Sequence, residues 1–433
     1  MTTALETTPL EERPAMDLLR FATAGSVDDG KSTLIGRLLY DAKAILADQL
    51  QHVAAVSARR GGGGEVDLSL LTDGLRAERE QGITIDVAYR FFATPRRRFI
   101  VADTPGHAQY TRNMVTGAST ADLALIIVDA SKGLTEQSRR HAAIAALLRV
   151  PKVTVVVNKL DLVGFSEEAF DTVVREFWEW IPPPAPDRPA ALGLHDVTFI
   201  PVSALHGDNV VEPSPERLEW YDGPALLEHL ETVEVDAAPA DAPARLPVQY
   251  VIRADGERRY AGRVASGVLR DGDEVVVLPS GLRTTVAAID GPDGPLCEAG
   301  APLSVAVRLA DELDVGRGDL LAAAEDAPAP ARELSATLCW MGDAPARPGA
   351  RYELKHATRT VQVRLDAIEH RIDVVTLDRV PAPDGLSLNE LGAVRLRLAG
   401  EIAADPYASS RATGAFILID PATNDTVAAG MIA

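Results

Sequence analysis

One short stretch constrains this chain more than any other: Gly25, Ser26, Val27, Asp28, Asp29, Gly30, Lys31, Ser32 and Thr33 in succession. Apolar Phe21 to Ala24 leads into it, and Leu34, Ile35, Leu38 and Leu39 leave it at helical spacing. A glycine-rich turn between a strand and a helix is the context in which backbone N–H groups curl around phosphates. The helix N-terminus adds positive potential there. Lys31 is then expected to reach the β- and γ-phosphates of a nucleotide, and the Ser32 hydroxyl to bind Mg²⁺.

The rest of the first half fits that start. Arg98 to Ala102, Leu123 to Val128, Val153 to Val157 and Val197 to Val202 read as buried strands. Helical patterns alternate with them at Tyr110 to Thr116, Gln137 to Leu148, Glu167 to Ile181 and Pro224 to Leu230. This rhythm implies an α/β P-loop domain, a mostly parallel sheet with helices on both faces. After Val235 the character changes. Ala- and Pro-rich stretches at Asp236 to Arg245 and Ala324 to Arg332 separate short strand candidates: Pro247 to Ile252, Gly262 to Val268, Glu274 to Leu278, Thr284 to Ile289, Ala415 to Ile419 and Val427 to Ile432. Strands this short and closely spaced suggest two small all-β barrels. The expected organisation is a tail at 1–19, a nucleotide domain at 20–235, a linker at 236–245 and barrels at 246–326 and 327–433.

Three further motifs each follow a strand. Asp103, Thr104, Pro105 and Gly106 would bring a carboxylate to Mg²⁺ through water and a glycine N–H to the γ-phosphate. Asn158, Lys159, Leu160 and Asp161 would read the base. The Asp161 carboxylate can accept from both N1–H and the 2-amino group of guanine, a donor pair that adenine lacks. A site built on such bonds rejects the wrong base, because buried groups are left unpaired. Asn158 would contact the base and brace the phosphate loop, and the Lys159 stem would pack over the ring. Ser203, Ala204 and Leu205 can supply a backbone N–H to guanine O6. Four pieces in this order predict a GTP-binding domain. Thr84, in the run Arg79 to Ile85, is the candidate switch residue that closes on Mg²⁺. His107, directly after Gly106, is placed to orient the attacking water. Gly61 to Gly64 and Pro182 to Pro189 read as loops, and Arg96 to Arg98 as a solvated hairpin tip.

Composition narrows the classes further. With 46% hydrophobic and 24% charged residues the chain is neither disordered nor fibrous. The 63 acidic against 43 basic residues give a net charge of −20, and no basic stripe is evident in the barrels, so nucleic acid is not an expected partner. Met1 to Met16 does not have the pattern of a secretory signal, and no apolar run approaches the roughly 18 residues that span a bilayer. Two cysteines without a ligand pattern suit a reducing compartment, so a cytoplasmic location without membrane contact is expected.

On these motifs the chain closely resembles the GTPase subunit of bacterial sulfate adenylyltransferase, in the elongation-factor-like branch of translational-type GTPases. The resemblance runs from about Arg20 to the C-terminus. It is carried by Gly25 to Asp41, Leu71 to Val87, Tyr110 to Thr120, Trp220 to Pro224, Pro247 to Tyr250 and Val275 to Gly281. It implies a GTP- and Mg²⁺-dependent chain that couples hydrolysis to adenosine 5′-phosphosulfate synthesis by a separate small catalytic subunit. Translation factors usually carry His where this chain has Asp29, which sets it apart from an aminoacyl-tRNA-binding factor, the alternative reading. Leu160 stands where the family more often has Met, a difference in packing. Some relatives continue into an adenylylsulfate kinase domain with its own P-loop. No second such motif occurs here, so that activity is expected to be absent.

Overall fold

A computed structural model describes residues 17–43, 57, 68, 86–106, 111–181, 196–235, 241–254, 256–382 and 384–433. Thr84, His107, Gly61 to Gly64 and Pro182 to Pro189 lie outside them. The chain divides into two compact units, Met1–Val235 and Asp236–Ala433.

In the first unit the chain runs through β1 (Leu18–Gly25), α1 (Lys31–Asp41), β2 (Ala88–Ala93), β3 (Arg98–Asp103), α2 (Thr111–Ala118) and β4 (Leu123–Asp129). It continues through α3 (Glu136–Leu147), β5 (Lys152–Asn158), α4 (Glu167–Trp180), β6 (Val197–Pro201) and α5 (Leu226–Thr232). The sheet order is β2-β3-β1-β4-β5-β6. Every neighbouring pair is parallel except β2 with β3. All seven residues of β4 are buried, so that strand is covered on both faces. Two helices start on side-chain caps written in the sequence. Thr135 accepts from Ser138 N ahead of α3, and Ser166 from Ala169 N ahead of α4. Glu167 and Glu168 add favourable charge to the first turn of α4. Among the described residues no helix is long and apolar enough to cross a membrane.

Two antiparallel barrels of six strands make up the second unit. In the first, Glu274–Leu278 pairs with both Leu320–Ala323 and Leu282–Gly291 and so closes the ring. In the second, Arg351–His356 closes it by pairing with both Ala415–Ile419 and Arg359–Ile372. Closure pairs each of the six barrel strands on both sides. A small cluster of Val276, Leu278, Leu320 and Ala322 from the first barrel with Ala403 of the second joins them.

Several readings of the sequence change here. The strand expected at Gly262 to Val268 is the end of Glu257–Arg263 plus the start of Val268–Arg270. Gly267 between them has φ +65°, and a Cβ there would lie 2.2 Å from Ala242 O, so a turn is required. Arg245 was assigned to the linker, yet it opens strand Arg245–Ala254 and is 3% exposed. Its guanidinium pairs with both Asp405 carboxylate oxygens, at 3.2 and 3.0 Å, across the two barrels. Arg97 is not solvated. It is buried, pairs with Asp17 and donates to Leu230 O and Val233 O at the C-terminal end of α5. The barrel face, which reads as lacking a basic stripe, carries Arg351, Arg364 and Arg397 in one cross-strand row. Asp366 bridges the latter two at 2.7 and 2.8 Å, and Glu333 pairs with Arg397 at 3.1 Å.

Candidate nucleotide site

The four motifs meet because they sit at the carboxyl ends of adjacent parallel strands, where α/β sheets bind ligands. Asp103 is in register with Thr23, and Asp129 with Asn158. No side chain caps α1. Its first closed bond runs from Leu34 N to Gly30 O at 2.9 Å, so the first turn of the helix opens onto the loop. Gly30 has φ +87°, and a Cβ there would stand 2.4 Å from Asn158 Nδ2. Gly106 packs on the same loop, where a Cβ would come within 2.4 Å of Gly25 O. Only glycine permits either approach.

Lys31 and Asp103, 7% and 1% exposed, form an ion pair beneath the loop. The Thr23 hydroxyl donates to Asp103 Oδ1 at 3.3 Å, and the Thr104 hydroxyl to Thr23 O at 2.6 Å, so Thr104 braces β1. Pro105 is buried behind them. The Ser32 and Thr33 side chains are half-buried at the start of α1, while Val27 and Asp28 lie at the exposed crest of the loop. Asp28 itself takes a left-handed φ of 66°.

Asn158 ties base loop to phosphate loop. Its Nδ2 donates to Asp29 O at 2.8 Å, and its Oδ1 accepts from Ala204 N at 3.0 Å. Lys159 Nζ donates to Asp28 O and pairs with Asp129 at 2.9 Å. Asp161 lies in the 3₁₀ turn Leu160–Val163, whose Leu160 is fully buried, so that position is a packing position. The Ser203 hydroxyl donates to Asp161 Oδ1 at 2.6 Å and orients the carboxylate, a role the sequence motif did not suggest.

Asp29 is 1% exposed and does not form a solvated turn. Its Oδ2 accepts from Ser26 N at 2.8 Å, while Oδ1 is buried without a hydrogen-bond partner, 3.8 Å from Lys132 Nζ. Burial pushes this carboxyl up to about 6, against the lowering by the Ser26 amide. At Asp129 burial works in the same direction, yet hydrogen bonds from Ser131 and Lys159 hold the carboxyl below its ordinary range. His141 on α3 also went unnoticed in the sequence. It is buried, meets Gln137 Nε2 at 2.9 Å, and is pushed down to about 3 by burial, with the Arg140 and Lys31 charges adding to it. It therefore stands near the site as a neutral imidazole at physiological pH.

Thr84 and His107 lie outside the described residues, so the structure brings together the other predicted residues without them. Trp220, ambiguous in the sequence, docks a loop: its indole N–H donates to Phe165 O at 3.0 Å, and its ring meets Phe170 at 5.2 Å. Trp178 and Trp180 pack edge-on against Phe177.

Comparison with known proteins agrees with this geometry. Residues 16–239 match the family model of the elongation factor Tu GTP binding domain, and residues 333–433 that of the GTP-eEF1A C-terminal domain-like family. Sulfate adenylyltransferase subunit 1 of Aeromonas hydrophila is 51% identical over 417 residues, covering 96% of this chain and 86% of that protein. The chain belongs to this family. The subunit 1 of Bacteroides fragilis is 49% identical over 425 residues, covering 98% and 87%. The bifunctional enzyme CysN/CysC of Mycobacterium tuberculosis is 56% identical over 421 residues, covering 96% of this chain and 67% of that enzyme.

Proposed function

We propose that this chain is the GTP-hydrolysing subunit of a sulfate adenylyltransferase. It couples hydrolysis to the joining of ATP and sulfate into adenosine 5′-phosphosulfate on a partner small subunit. The sulfate part of the reading rests on the likeness to sulfate adenylyltransferase subunit 1, and the observation that carries the GTP part is Asn158. Its amide bridges Asp29 O in the phosphate loop and Ala204 N in the base loop, and this places Asp161 beside Ser203. That frame suits a guanine nucleotide.

The roles follow from the chemistry of each group. Lys31, with the loop Gly25 to Thr33 curled around it, holds the β- and γ-phosphates. Asp161 accepts from the guanine N1–H and 2-amino groups, and the Lys159 stem covers the ring. Ser32 and Thr84 would hold Mg²⁺ directly and Asp103 through water. Such a set would suit a hard cation that takes few protein oxygens and completes its shell with phosphates and water. When bound, Mg²⁺ neutralises charge on the phosphate oxygens. Thr104 and Pro105 fix the Asp103 turn, Gly106 gives its amide to the γ-phosphate, and His107 orients the attacking water.

Coupling requires that the Thr84 and Gly106 segments contact the small subunit differently before and after hydrolysis. The test combines the purified chain with its candidate small subunit and follows GTP hydrolysis and adenosine 5′-phosphosulfate together. Hydrolysis that rises with ATP and sulfate, and product beyond what ATP alone yields, supports the reading. Indifference to ATP and sulfate overturns the sulfate assignment while leaving a GTPase. Tight, salt-sensitive tRNA retention by the GTP-loaded chain would favour a translation factor instead.

A further inference from the structure

We infer that Arg37 is a positioning residue for base recognition, acting from the phosphate-side helix on the loop that faces guanine O6. The inference rests on the guanine-nucleotide reading above. Arg37 sits on α1, which begins at Lys31. Its Nε donates to Ala204 O at 3.2 Å and its NH2 group to Leu205 O at 2.5 Å. Asp41, one turn on, stands 3.7 Å from NH1 and steadies the guanidinium.

Two adjacent carbonyls are thus turned toward α1. A trans peptide sets its N–H opposite its C=O. With Ala204 O held on Arg37, the Leu205 N–H points the other way, off the face that α1 covers. The neighbouring amides are already committed: Ala204 N donates to Asn158 Oδ1 at 3.0 Å, His206 N to Ser203 Oγ at 3.5 Å and Gly207 N to Ser203 O at 2.8 Å. Among the described amides of Ser203 to Gly207, Leu205 N–H is the donor left for a ligand, and guanine O6 is the acceptor that Asp161 cannot serve, because a carboxylate only accepts. Gly207, at φ +86°, returns the chain so closely that a Cβ would touch Arg37 Cδ at 3.5 Å. The loop is therefore packed on the arginine stem as well as bonded to its head.

The fork geometry explains why arginine is needed. Two donors on one rigid plane fix two peptide planes, which a lysine ammonium cannot do. The test compares binding of GDP with that of 2-aminopurine riboside 5′-diphosphate, which keeps the 2-amino group and lacks O6 together with the N1 proton, each variant being compared with the unaltered chain on the same nucleotide. Arg37→Met should lower GDP affinity by about three- to tenfold, the scale of one hydrogen bond, and leave the analogue within about twofold. Arg37→Lys should lose GDP affinity less and in the same direction, and it serves as the readout if the methionine variant does not fold. A parallel loss for both nucleotides, or no loss for either, overturns the positioning role. If the unaltered chain binds adenine and guanine nucleotides alike, the guanine reading itself falls, and this inference with it.

Discussion

Replacing Asp29 with asparagine should stabilise the nucleotide-free chain at neutral pH and remove one component of its acid response. The buried carboxyl titrates near 6 in the folded chain against 3.8 for an ordinary Asp. The folded state therefore holds this proton more tightly than the unfolded state. Its contribution to stability is full below about pH 3.8 and is lost as pH rises through about 6. Roughly two units at 1.36 kcal/mol each amount to about 3 kcal/mol. In the variant, the amide oxygen can keep the 2.8 Å bond from Ser26 N, and the unpartnered Oδ1 becomes an uncharged NH2 facing Asp129 and Lys132. Lys132, 45% exposed, retains Asp129 at 3.7 Å. Urea unfolding of both proteins from pH 4 to 7.5 is the assay. His229 and His356, both held low by burial, titrate in both proteins and subtract out. The variant's advantage should grow by about 2–3 kcal/mol between pH 4 and 7, most of it between about pH 4 and 6. Parallel curves would refute the buried, orphaned carboxylate.

Other substitutions test separate parts. Asp161→Asn should weaken GTP and favour xanthosine triphosphate, because the donor–acceptor pattern reverses; competition binding with the two nucleotides checks it. Arg245→Met leaves Asp405 buried without its cation and should destabilise the barrel unit by about 3–5 kcal/mol, the usual scale for breaking one side of a buried pair. A second change, Asp405→Leu, should restore much of that, as read from urea midpoints. His107→Ala should leave GTP binding largely intact and slow hydrolysis roughly a hundredfold, the scale of one positioned acid–base group; single-turnover hydrolysis alongside a binding titration separates the two.

The sequence discloses the contiguous parts of this protein and hides the non-contiguous ones. Strand–turn–helix rhythm placed β1, β3, β4, β5 and β6, because each is a short apolar run bounded by turns. The loops after β1, β3, β5 and β6 are legible as candidate loops because their signals are local: glycines where the chain must turn and polar groups directly after apolar strands. Arg37 escaped notice because its partner Ala204 lies 167 residues away and is a backbone carbonyl, which no side-chain pattern announces. Arg97 reads as solvated because charge suggests solvent, and Arg245 reads as linker because it ends an Ala- and Pro-rich stretch; yet their guanidiniums bond carbonyls and carboxylates, the carboxylates 80 and 160 residues distant. Ser203 was read for its backbone while its hydroxyl orients Asp161.

These long-range bonds make the phosphate and base halves of the site one mechanical body. Loose loops would lose about 1–2 kcal/mol of conformational entropy per residue on closing around a nucleotide. Here Asn158, Lys159 and Arg37 hold the loops to one another, and Gly30 and Gly106 let them touch at distances a side chain would forbid. Much of the ordering is done before the nucleotide arrives, so more of the base contact appears as affinity. The Lys31–Asp103 pair is the exception. Two buried opposite charges already satisfy each other there, and a phosphate must compete for the ammonium. Since β3 carries Asp103 directly into the turn that holds Gly106, any shift in that pairing is passed on to Gly106.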